Sequence, residues 1–270
     1  MVKLPDIQSS PPEEQIPIDK VGIKNLRYPI RVLDRAKGLQ ATVGEFNLYV
    51  DLPSHFKGTH MSRFIEVLNE FKDEIHVRNI EEILRKLKKR LNAKSAHLEV
   101  YFPYFLEKKS PVTEISSLME YQAFMLASLT ARKIDLVLGV KVPVMTLCPC
   151  SKSVSEYGAH NQRGIITVAV RSKKFIWLEE LIEMAESSAS SPVYPLLKRP
   201  DEKYVTERAY ENPKFVEDVV RGLAFKLLEN KEIFWFTVEA ENMESIHGHN
   251  AYACIRYPFE NYSSESSISK

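Results

Sequence analysis

Residues 145–164 hold the side chains with the clearest chemical potential: Cys148 and Cys150 one residue apart, then His160, in a stretch rich in Ser, Lys and Arg. Thiolate and imidazole are the ligands that borderline-soft divalent metals prefer. Serine, lysine and arginine are phosphate-binding types. A metal and a phosphorylated substrate in one pocket is therefore the first expectation. If the backbone around Pro149 is extended, residues two apart point the same way, and both thiols face one pocket. The plainer alternative is a pair of buried structural cysteines, since free cysteine is commonly buried. The spacing is not that of a structural zinc finger, and no second cysteine pair exists. A bound metal would then have few protein ligands, as in an open catalytic site.

Other residues extend this set. His247 and His249 repeat the i, i+2 spacing at the expected entrance to a strand, so one extended face would carry both rings. Imidazole is the usual general acid or base at neutral pH; two solvated loop histidines is the bland alternative. Glu217 borders the apolar stripe of an expected helix. A carboxylate there can accept two N–H bonds from the amidine-like edge of a base, or simply lie solvated near a helix N-terminus. Glu202 offers a hard oxygen ligand for a mixed S/N/O metal site. Cys254 is expected in the core of a strand. His55, His60, His76 and His97 are scattered and have no assigned role. No GxGxxG, Walker loop, HExxH or GxSxG pattern is present, which removes the common nucleotide-fold, zincin and serine-hydrolase readings.

The elements that must position these groups follow from periodicity. Extended stretches are expected near 24–33 and 39–51, then two helices. Phe64, Val67, Leu68 and Phe71 line one helix; Ile80, Ile83, Leu84, Leu87 and Leu91 line the other. Strands return at 95–106 and 113–132. The order then repeats: an apolar run at 133–147, a β-rich segment at 164–171, and a helix near 176–187. A second helix is expected from Asn212-Pro213, with Val216, Val219, Val220, Leu223 and Leu227 as its buried stripe. Strands near 233–241 and 249–257 close the unit. The segment 188–211 reads as a long charged loop. The fold class is therefore α+β: two tandem ββααββ modules, each an antiparallel sheet with helices on one face.

Composition bounds the rest. A chain of 270 residues with 44% hydrophobic and 27% charged residues is an ordinary globular protein. The module boundaries expected are 20–132 and 133–260, with flexible tails at 1–19 and 261–270. A net charge of +1 argues against a general nucleic-acid binder. Three cysteines without framework spacing point to a reducing compartment. The acidic, proline-containing start lacks the order of a signal peptide, and Ile134 to Leu147 is too short to span a bilayer. A cytoplasmic location without membrane attachment is the expectation.

Several segments together resemble GTP cyclohydrolase of type IB, the prokaryotic form of GTP cyclohydrolase I. They are Leu147-Cys148-Pro149-Cys150-Ser151-Lys152, Gly158-Ala159-His160-Asn161-Gln162-Arg163, Lys198 to Pro213, and Glu244 to Ala251, with Gly58 to Phe64 earlier in the chain. The resemblance implies a tunnelling fold of two tandem modules assembled as a homotetramer. It implies hydrolytic opening of GTP at C8, release of formate and rearrangement to 7,8-dihydroneopterin triphosphate, the first step of folate-type pterin synthesis. It implies Cys148, His160 and Glu202 as ligands of one divalent metal (manganese, iron or zinc) and Glu217 as the grip on the guanine edge. It further implies His247 and Cys150 as proton-transfer or supporting groups. Lys152 and Arg163 are assigned to the triphosphate from charge and adjacency. Two alternatives stand beside this: a tunnelling-fold deazaguanine nitrile reductase with a cysteine nucleophile, and a non-catalytic purine- or pterin-binding assembly protein.

Overall fold

The computed structural model describes residues 7–8, 10–71, 75–76, 78–131 and 133–259. The chain forms two compact units: Met1–Leu106 with Glu120–Gly139 and Trp177–Glu179, and Glu107–Met119 with Val140–Ile176 and Glu180–Lys270. The expected C-terminal tail, 261–270, lies outside the described residues, as does most of 1–9. Part of the expected N-terminal tail is tied down. The carbonyls of Gln8 and Ser10 accept backbone N–H bonds from Gly58 and Lys57, and the first strand already starts at Ile18.

The first unit runs β1 (Ile18–Asp34), β2 (Gly38–Leu52), α1 (Ser62–Asn69), α2 (Ile80–Leu91), β3 (Ser95–Lys109) and β4 (Ser116–Thr130). Its strands are ordered β1-β2-β3-β4. Alternation sets the register: Phe46, Leu48 and Val50 stand opposite Val100, Leu98 and Ala96, and all six are buried. The helices bury Phe64, Val67 and Leu68, and Ile80, Ile83, Leu84 and Leu87. Each such side chain contributes about 1.5–3 kcal/mol on leaving water. Helix α2 stops where Asn92 adopts a left-handed conformation, with φ of 51°.

The second unit holds the end of β5 (Lys133–Leu147), then α3 (Pro149–Val154), β6 (Asn161–Ser172), most of α4 (Leu178–Glu186), β7 (Ser191–Pro192), α5 (Arg199–Glu211), α6 (Val216–Glu229), β8 (Ile233–Met243) and β9 (Ala251–Tyr257). Strands β5, β6, β8 and β9 are neighbours in that order, and β7 adds to β5. Ile166, Val168 and Val170 on β6 face Ala240, Val238 and Phe236 on β8, and again all six are buried. The basic ββααββ order is present in both units, which makes the chain α+β.

Three local expectations are corrected. The segment 188–211 is not a loop, because α5 occupies its second half. Its buried residues are only Asp201, Val205 and Ala209, a narrow stripe on an otherwise charged helix, so apolar periodicity is weak. The second long helix starts at Val216 rather than at Asn212-Pro213. The Lys214 N–H donates to the Leu147 carbonyl at 3.1 Å, holding the approach non-helical. The Asp218 carboxylate then accepts the Phe215 N–H at 3.0 Å, a cap one turn later. Asn212 instead ends α5, its amide donating to the carbonyls of Ala189 and Ser190. Third, Cys254 on β9 is half-buried, not in the core. It neighbours Tyr252, whose phenol is pushed up to about 12 by desolvation, by the Glu239 carboxylate and by Cys254 itself.

Asp201 fixes the start of α5 and explains why the β3–β4 tip, 107–119, belongs to the second unit. Its carboxylate accepts N–H bonds from Lys198, Val112 and Thr113 at 2.8–2.9 Å and the Thr113 hydroxyl at 2.6 Å. Burial pushes this acid up, but the hydrogen bonds outweigh it and hold it well below the usual carboxylate range. A depressed carboxyl contributes stability above its unfolded value and loses it as pH falls through the folded one. Asp201→Ala should therefore lower the thermal midpoint at pH 7 by roughly 3–10 °C. The gap to the parent should narrow as the pH is lowered below about 4. Scanning calorimetry across pH checks both, and a gap that is constant with pH would contradict the assignment.

Candidate functional site

The second unit brings Cys148 and His160 together through the backbone. Strands β5 and β6 are neighbours, and at their shared end the Cys148 N–H donates to the His160 carbonyl at 3.1 Å. The eleven residues between, 149–159, leave the sheet and return. Pro149 opens α3 at the position where its missing N–H costs nothing, and Cys148 caps it. Ser151 ties the excursion shut: its hydroxyl donates to the Cys148 carbonyl and accepts the His160 N–H, each at 3.2 Å. The Cys148 sulfur accepts the Ser151 N–H at 3.4 Å. Cys148 and His160 are thus cross-strand neighbours, both half-buried, on a frame of four hydrogen bonds.

The conditional expectation that both thiols face one pocket fails, because the backbone after Cys148 is helical. Cys148 is extended, with φ −69° and ψ 118°, whereas Cys150 lies inside α3 and is exposed. A helix sends residues two apart in different directions.

His247 and His249 lie in the β8–β9 loop, exposed, with their rings stacked at 5.2 Å between centroids. Both rings do share one side, in a loop rather than on a strand. This loop reaches the cysteine–histidine pair: the Ser245 hydroxyl stands 3.3 Å from His160 Nδ1. That contact engages Nδ1, the arrangement by which neighbouring groups orient a ligating imidazole. Asn250 braces the loop by donating to the Glu241 carboxylate at 2.7 Å. Glu217 is exposed in the first turn of α6, and the Lys214–Leu147 bond sets that turn against the end of β5.

The remaining residues are placed less centrally. Lys152 on α3 donates to the Tyr210 carbonyl and lies 4.3 Å from the Tyr210 ring centroid, so its ammonium already serves the C-terminal end of α5. Arg163 is exposed and one residue out of phase with His160 and Gln162, which turns it to the other face of β6. Glu202 is exposed in the first turn of α5. From 202 to 210 is eight steps, about 12 Å along a helix axis, so the end of α5 that meets α3 is not the end that carries Glu202. Among the described residues, no three His, Cys, Asp or Glu side chains gather closely enough to hold a metal ion. Within the chain the donor set fits a metal at two positions, Cys148 and His160, with the third donor apart. Ser151 and Ser245, which hold the pair in place, carry no signal in a sequence with serine at so many positions. Among the described residues no helix is long and apolar enough to cross a membrane.

Comparison with known proteins identifies the family. A family model described as type I GTP cyclohydrolase folE2 matches residues 4–253. GTP cyclohydrolase FolE2 of Geotalea uraniireducens is 58% identical over 250 residues, 93% of this chain and 92% of that one. The protein of the same name from Thermosipho africanus is 58% identical over 250 residues, 93% and 96% of the two chains. Among solved structures, uricase from Arthrobacter globiformis superposes with a TM-score of 0.51 at 7% identity, covering 90% of this chain and 94% of that one. A Bacillus sp. TB-90 urate oxidase mutant gives a TM-score of 0.53 at 7% identity, covering 88% and 99%. At such identity these two speak for the fold alone, which is the tunnelling fold. The chain belongs to the type I GTP cyclohydrolase FolE2 family.

Proposed function

We propose that this protein is a divalent-metal-dependent GTP cyclohydrolase, converting GTP and water to 7,8-dihydroneopterin triphosphate and formate. The observation that carries the reading is the backbone-paired Cys148 and His160, in a chain whose relatives bear the name GTP cyclohydrolase. Those names give no support to the nitrile reductase or to a non-catalytic binder.

In this reading Cys148 and His160 hold one cation, and Glu202 is the third protein donor although within the single chain it lies apart from the pair. When bound, a manganese, iron or zinc ion supplies a Lewis acid and a water that ionises near neutral pH. Everything else falls to side chains. Glu217 accepts two N–H bonds from the guanine edge and so fixes the ring. His247 protonates the imidazole nitrogen of the base as C8 takes the water oxygen, and Cys150 supports the proton transfer. Lys152 and Arg163 meet the triphosphate; Lys152 must first leave the Tyr210 carbonyl. The enzyme acts in the cytoplasm as a homotetramer and begins folate-type pterin synthesis.

Metal-reconstituted protein given GTP should release formate and a product that fluoresces as a pterin after oxidation. Neither product with manganese, iron or zinc would refute the reading. Cys148→Ala should lose the metal, and Ser245→Ala should weaken metal binding by roughly tenfold or more. Metal titration with a competing chelator measures both, and full occupancy in Cys148→Ala would contradict ligation. His247→Ala should keep its metal while kcat falls by roughly 10²–10⁴-fold. Unchanged turnover would remove that residue from the chemistry.

A further inference from the structure

Directly inward of Cys148 and His160 lie two buried polar atoms that no described residue matches. The bond from the Cys148 N–H to the His160 carbonyl fixes the local register of β5 and β6. Counting inward, it sets Thr146 opposite Gln162 and Val144 opposite Gly164. The second pairing is visible independently: a Cβ built on Gly164 would lie 3.2 Å from a Val144 methyl. Side chains two apart on a strand share a face. Thr146 and Gln162 therefore face the same side as the thiol and the imidazole.

Thr146 is fully buried and Gln162 is 7% exposed. Thr146 Oγ1 and Gln162 Oε1 have no hydrogen-bond partner among the described residues. Asn242 closes the row at its inner end, its Oδ1 occupying space that only glycine at 164 leaves, 2.6 Å from where a Cβ would stand. Buried polar atoms without partners are costly and rare. Two in one cross-strand pair, adjoining a ligand-type pair, point to a group that arrives with the substrate.

The chemistry of that group follows from the atoms. Among the described residues no lysine or arginine lies in this row, so a phosphate oxygen there would be buried unpaired. Gln162 Oε1 only accepts, whereas Thr146 Oγ1 donates or accepts. Their complement is a neutral group with an N–H beside an acceptor. The intact imidazole side of guanine offers acceptors only, N7 and O6. Hydrolysis changes this. The water oxygen bonds to C8, the C8–N9 bond breaks, and the two water protons end on N7 and N9. No oxidation occurs, and N7 becomes the N–H of a formamide.

Resting on the GTP cyclohydrolase reading, we propose that Thr146 and Gln162 form an inner subsite for this formamide. Gln162 Oε1 accepts its N–H and Thr146 Oγ1 donates to its carbonyl. Groups that match the opened ring better than the intact purine act on turnover and not on GTP binding.

Gln162→Leu and Thr146→Val remove the polar atoms at similar volume, and Thr146→Ser restores the hydroxyl. Each apolar variant should lower kcat by about tenfold or more while KM for GTP and bound metal stay unchanged. The thermal midpoint should not fall, because no internal hydrogen bond is lost. Thr146→Ser should stay within about twofold of the parent kcat. Parental kcat in both apolar variants would overturn the subsite, as would a rise in KM alone. A kcat loss accompanied by a lower midpoint, without rescue by serine, would mark a structural role and also overturn it. If Gln162→Leu fails to fold, the Thr146 valine and serine pair decides. Absence of GTP turnover by the parent with manganese, iron or zinc would instead refute the functional reading itself, and the subsite with it.

Discussion

One backbone hydrogen bond, from the Cys148 N–H to the His160 carbonyl, is the constraint on which the site depends. It is the outermost rung between β5 and β6, and it joins two residues separated by an eleven-residue excursion. Side-chain chemistry alone would not hold a soft thiol beside an imidazole; a strand register does so at little entropic cost once the sheet has formed. Ser151 then locks the excursion by serving both ends of the rung with a single hydroxyl. The metal-ligand types are thereby presented at the shared end of two packed strands, β5 and β6, with the β8–β9 loop reaching them through Ser245.

The same register organises what lies beneath. Even-numbered residues of β5, β6 and β8 line the buried face, from Val140 and Val168 outward to Thr146 and Gln162. Polarity therefore rises along one row, from aliphatic core through a buried hydroxyl and amide to thiol and imidazole. Such grading suits a site that must orient a flat, neutral ring edge while leaving charged phosphates outside. Around it, three connections reach in: the β8–β9 loop through Ser245, the start of α6 through Lys214, and the end of α5 through Lys152.

Much of this was legible in the chain. Long amphipathic helices such as α2 and strands such as β5 declare themselves, because Ile80, Ile83, Leu84 and Leu87, or the apolar run 133–147, leave no competing period. Cys148 and His160 were legible as ligand types. Helix α5 was not legible, since its burial rests on Asp201, a carboxylate saturated by hydrogen bonds from a distant hairpin. Nor was the start of α6: Asn212-Pro213 carries a strong local capping signal, yet a tertiary bond to Leu147 overrides it. The common orientation of Cys148 and Cys150 depended on an extended backbone that Pro149 and the Cys148 cap replace with a helix. Thr146 and Gln162 give no sign in the sequence, because only the register reveals that they face each other.

The central claim is that this register gathers a sulfur and a ring nitrogen around one cation. Metal-edge X-ray absorption on protein reconstituted with a single zinc ion tests it most directly. The account predicts one sulfur scatterer at about 2.3 Å, with the remaining first shell made of nitrogen and oxygen at about 2.0–2.2 Å. A first shell of oxygen and nitrogen alone, unchanged when Cys148 is replaced by alanine, would contradict it.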